Sequence, residues 1–205
     1  MEGLYNASGV ALALFLVLAA VDGVYLHLWR YRLYARPASR SEHQLHTWSA
    51  GLFLLSLPTL MLWESGGCLL WAGVALLGID LVVELLDIGI ERRSRADLGG
   101  LSTFEYILHV VITSSRVAAV TLVLVARPAE AWAFDAPLVL GSLPSFASLV
   151  AWQALPGAAL MTALHVWLCT PGGVARVEAW RQRRETRRAP ARACCGTSCC
   201  AGQTA

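Results

Sequence analysis

Lysine is absent from this 205-residue chain: all 16 basic residues are arginine. Guanidinium chemistry with phosphates would give that bias a function, but codon preference in a GC-rich genome accounts for it. Charge of either sign is scarce, at 15% against about 25% in soluble domains, while 57% of the residues are hydrophobic. Together with a mean hydropathy of +0.56, this excludes a soluble globular domain and leaves nucleic acid out of the expected partners. No basic residue precedes the first apolar run and no small-x-small site follows it, so that run is expected to be retained and not cleaved as a secretory leader. The Glu-x-x-His pair of ferritin-like metal bundles, the histidine boxes of membrane desaturases and the paired Cys-x-x-Cys knuckles of zinc fingers are all missing.

What is present is a set of long apolar runs. A helical span takes about 20 residues; runs at 10–29, 68–90, 104–126 and 145–169 reach that length, and a run at 48–63, short for a span, makes a fifth. They predict an all-α integral membrane protein, a five-helix bundle over residues 1–172 followed by a short basic, Cys-rich cytosolic tail over 173–205. Arginines cluster after the first run (Arg30, Arg32, Arg36, Arg40), the third (Arg92, Arg93, Arg95) and the fifth (Arg176 and six more). Short basic loops stay in the cytosol, which predicts an N-out, C-in protein of a bacterial inner membrane. The brief connection 64–67 predicts a tight hairpin of helices two and three, with a kink at Pro58. Residues 127–144 read as an external loop with an interfacial turn, or as a re-entrant segment.

Four acids mark the third run, Asp80, Glu84 and Asp87 inside it and Glu91 at its end. Offsets of 4, 7 and 11 positions place them within roughly 60° of one another on a helix. Each ionised acid near a helix centre costs on the order of 3 kcal/mol in hydrocarbon, so this stripe faces protein, water or metal. Helix four carries Glu105, His109 and Arg116 on one face. Helical rise puts Arg116 and Asp80 both about 16 Å deep, and the two are expected to pair.

The loop before helix two adds Glu42, His43 and His46. Ser41 with Gln44 reads as a capping box starting helix two at Glu42, with Glu42 and His46 on one face and His43 flanking. Helix one adds Asp22. His27 is five positions on, about 140° around an α-helix, so Asp22 is taken as the candidate and His27 is placed at the lipid headgroups.

The acids at the cytosolic end outnumber the cations expected beside them. Divalent metal ions bound by mixed carboxylate and imidazole ligands are the natural neutralisers. The expected ligand set is Asp22, Glu42, His43, His46, Asp80, Glu84, Asp87, Glu105 and His109, holding a dinuclear centre of iron, or of manganese or zinc. Oxidation or hydroxylation of a hydrophobic small molecule from the bilayer is the leading activity. Arg116 with Asp80 forms the floor of the site, and Tyr106 or Tyr25 donates a proton. Membrane lipids, a lipophilic substrate and a redox or metal-donor protein are the expected partners. Two other readings use the same residues: a metal-ion or proton transporter, and a b-type haem held by His46, His109 or His165. His165 otherwise reads as a histidine hydrogen-bonded to a neighbouring helix.

The tail ends in Cys194, Cys195, Cys199 and Cys200. Thiols this dense in a reducing compartment suit a soft metal or a redox relay, or lipid attachment.

Overall fold

The computed structural model describes residues 2–139, 141 and 146–188. Among the described residues every regular element is helical, and five helices are long and apolar enough to cross a membrane. Helix α1 (Glu2–Ala19) continues without a break into a π-helical segment, Ala20–Arg30. Helix α2 (Arg40–Leu57) continues into a shorter one, Pro58–Leu62. Then come α3 (Gly67–Ser94), α4 (Thr103–Val125), α5 (Phe146–Leu168) and α6 (Pro171–Arg188). The first part of the segment read as a tail is therefore helix α6. The cysteines at 194–200 lie outside the described residues.

Pro58 changes the winding of its helix. Lacking an N–H, it cannot make the i→i−4 bond, and from Pro58 onward the turn widens until the Trp63 amide reaches the Pro58 carbonyl at 3.2 Å. The capping box expected from Ser41 and Gln44 does not form. The 3₁₀ turn Pro37–Ser39 runs directly into the helix, so α2 begins earlier, at Arg40. A capping box stands instead at the start of α4, where Ser102 Oγ accepts the Glu105 amide and Glu105 accepts the Ser102 amide, each at 3.2 Å. Gly99 and Gly100, at φ 88° and 89°, supply the left-handed backbone that returns the chain from α3 to α4.

α1 packs on α4 and α5, and α2 packs on α3 and α5. The helices thus follow one another around the bundle as α4, α1, α5, α2, α3, and the terminal pair, α3 and α4, meet through side chains. Close approach needs small residues. A Cβ on Gly9 would stand 2.8 Å from the Ala147 backbone, and one on Gly73 would meet Leu60 at 2.6 Å. Between α1 and α4, Ser8 Oγ donates to the Ala119 carbonyl at 2.7 Å.

Half of the bundle is filled by hydrocarbon, with Leu12, Phe15, Leu57, Leu60, Leu70 and Val123 at its centre. At that end Arg127 donates to the carbonyls of Leu60 (3.0 Å) and Trp63 (2.7 Å), left free where the second helix stops. Burial pushes the Arg127 pKa below its ordinary value, against the opposing charges of Tyr5 and Glu64. In the connection that follows, Trp132 and Phe134 pack on Trp71 at 5.5 and 5.4 Å between ring centroids. The polar residues gather in the other half, toward Arg95.

Candidate metal centre

The site begins with the winding of α1. A π-helix closes i to i+5, so one turn of the segment Ala20–Arg30 separates Asp22 from His27 and turns both to the same side. Asp22 Oδ1 lies 3.4 Å from His27 Nε2. The expectation that these two face different directions assumed α-helical geometry and is corrected here. His27 is 1% exposed, and among the described residues neither of its ring nitrogens has a hydrogen-bond partner. Buried polar groups are nearly always partnered, so this imidazole stands out.

Two other histidines surround it. The ring of His46, from α2, lies 4.4 Å away between centroids and that of His109, from α4, 5.9 Å away. His109 Nε2 is 3.2 Å from Asp22 Oδ1, and its Nδ1 is 3.2 Å from Glu91 Oε1. His46 Nε2 is 3.4 Å from Asp87 Oδ2. The acidic stripe of α3 thus reaches His46 through Asp87 and His109 through Glu91. Ligand atoms of Asp22, His27 and His109 all lie within 4.8 Å of one another, as do those of His27, Glu42 and His46. Bonds of about 2.1 Å in tetrahedral geometry set donors roughly 3.4 Å apart, which matches the 3.2 and 3.4 Å separations about Asp22.

Two arginines close the neighbouring acids. Arg95, 1% exposed, places Nη2 at 3.0 Å from Glu42 and 3.6 Å from Glu105, with its guanidinium 4.7 Å from the Tyr31 ring centroid. Ser94 donates to the other oxygen of Glu42, and Tyr31 OH donates to Glu105 at 3.2 Å. On the far side Arg116 binds Asp80, as the matched depths led us to expect, and it also takes Glu84, one of the ligands expected from sequence. Ser49 also donates to Asp80, at 2.7 Å, and Thr113 to Glu84. A cation held by two acids, each of which also accepts from a hydroxyl, forms a closed cluster.

The remaining candidates take other places. His43 stacks on His165 of α5, 5.1 Å between centroids and 18° from parallel, beside Tyr34. Tyr106 and Tyr25 are exposed. His27, Glu91, Arg95 and Tyr31 are the residues at the site that the ligand set read from sequence omits. Of these, Glu91 was visible in the acidic stripe.

No protein-family model, curated protein or solved structure matches the chain. Fold and geometry define a helical bundle with five helices able to span a membrane, and histidine and carboxylate groups placed where they can hold a metal ion.

Proposed function

We propose that the chain is a membrane metalloprotein that oxidises a lipophilic small molecule at an iron site near the cytosolic face. The reading is carried by His27, an imidazole buried with neither nitrogen in a hydrogen bond among the described residues, set between two further histidines and the carboxylates of Asp22 and Glu42. Each of the two groups that share His27 is a two-histidine, one-carboxylate set, the donor set of non-haem iron oxygenases. Glu91 supports the same reading. A metal-binding histidine usually donates its second nitrogen to a carboxylate, and with His109 Nε2 turned to the Asp22 group, Nδ1 is left to donate to Glu91.

The group of Asp22, His27 and His109 is the one we assign to the first ion, because both oxygens of Glu42 are already taken by Arg95 and Ser94. A bound iron would activate dioxygen, with electrons from a redox-partner protein. The residues of the chain hold and orient the ligands. The apolar half of the bundle weighs against a transporter, whose polar path has to cross the whole membrane; here the path ends at Asp80 and Arg116 against Leu12, Leu57 and Leu60.

Elemental analysis of the full chain purified in mild detergent tests this. Iron retained by wild type and by His43→Ala, and lost from His27→Ala and His109→Ala, is the expected result. Iron retained by His27→Ala would overturn the assignment, and a strong Soret band would make the histidines haem ligands.

A further inference from the structure

A cavity of about 1410 Å³ runs along the inside of the bundle and touches the site. Drug-sized ligands occupy roughly 300–1,000 Å³, so the space suits a longer molecule. Its character changes along its length. Asp22, His46 and His109 line it at the level of the histidines, and Leu16, Phe53 and Leu149 line it further in. The exposed residues Arg92, Gly100 and Tyr106 line its outer end.

The apolar arm has a measurable reach. α1 and α5 run parallel, with Gly9 against Ala147, and beyond His165 the cavity follows α5 from Met161 to Phe146. At 1.5 Å per residue that is roughly 22 Å. An extended chain of three bonds spans about 3.5 Å, so a 22 Å arm takes up to about nineteen bonds. Charge near the outer end does not favour an anion: Asp87 and Glu91 line the cavity there against one arginine, Arg92, that is in no ion pair among the described residues, since Arg116 is bound by Asp80 and Glu84.

We infer that the cavity takes a single-chain amphiphile with an uncharged head, of the long-chain alcohol class, its head beside Arg92 and Tyr106 and its chain along α1 and α5. The inference names the substrate class for the function proposed above and rests on that reading for the chemistry alone.

The test uses the full chain in phosphatidylcholine nanodiscs with a 1-hexadecanol analogue carrying a photoreactive diazirine at mid-chain. After irradiation, adducts are expected on cavity-lining positions of α5 and α1, such as Ala154, Ala158 and Leu16. Excess 1-hexadecanol should remove them and excess palmitate should not. Ala158→Trp should reduce labelling several-fold. Gly157→Leu should do the same, at a position where an added Cβ meets nothing within 4 Å, so a folding defect in the first variant does not decide the matter. Adducts confined to outward residues such as Leu85 and Leu160, both 69% exposed, would overturn the inference. Equal protection by palmitate would overturn the uncharged head. Labelling is read in iron-loaded and chelated protein alike. Interior adducts on protein that binds no iron would leave the amphiphile standing and remove the metal reading, and iron without interior adducts would do the reverse.

Discussion

Asp22 and His27, five residues apart, face each other at 3.4 Å because the helix between them is wound as a π-helix. The pair therefore depends on winding as much as on residue identity. Deleting Gly23 leaves a spacing of four, which an ordinary α-helix also places on one face, so iron should be retained. Inserting an alanine after Gly23 makes the spacing six and should abolish iron binding. Elemental analysis of the two variants, with circular dichroism to show that helix content is unchanged, checks this.

Glu91 should act on the metal through His109. Loss of an outer carboxylate typically lowers metal affinity about 10- to 100-fold, and Glu91→Ala is expected in that range. Glu91→Gln keeps an acceptor for His109 Nδ1 and should lose less. Competition with a chelator of known affinity measures both.

Arg95 is expected to be a stability residue. Removing one partner of a buried ion pair leaves an uncompensated charge and costs about 3–5 kcal/mol; Arg95→Met strands Glu42 and Glu105 together. Thermal unfolding in detergent should show a large loss, and adding Glu42→Leu to Arg95→Met should recover part of it.

Arg116→Gln separates a structural from a chemical role. The closed cluster with Asp80, Glu84, Ser49 and Thr113 predicts lower thermal stability with iron content unchanged. Loss of iron at unchanged stability would instead put Arg116 in the metal site.

Acid should release the metal. Histidine binds metal only when deprotonated, so affinity falls with pH as protons compete for His27 and His109. Iron retained after dialysis over a descending pH series should therefore decline, and return on neutralisation.

The five helices were legible because apolar length is a composition signal. The acidic stripe of α3 was legible because α3 is an uninterrupted α-helix, over which a period of 3.6 holds. The pairing of Asp80 with Arg116 followed from rise per residue alone. His27 was not legible, since the same period applied to a π-helical stretch turns it away from Asp22. Arg95 was read as a topology marker: an arginine just past an apolar run looks the same whether it meets headgroups or folds back under the bundle. Ser102 and Glu105 do carry the Ser-x-x-Glu pattern of a capping box, and that signal was there to be found. The cavity depends on how far the helices stand apart, which no local pattern encodes.

The seam between α3 and α4 also bears on how the chain is made. α3 is synthesised first and carries Asp80, Glu84, Asp87 and Glu91 with it, while Arg116 follows one helix later. Alone, the third segment would enter a bilayer with Asp80, Glu84 and Asp87 deeper than its own arginines, Arg92 and Arg93; delivered together with the fourth, it gains Arg116 as a counter-charge. Biogenesis of this protein is therefore expected to hold the third segment at the insertion machinery until the fourth arrives, so that the two cross into hydrocarbon as a couple.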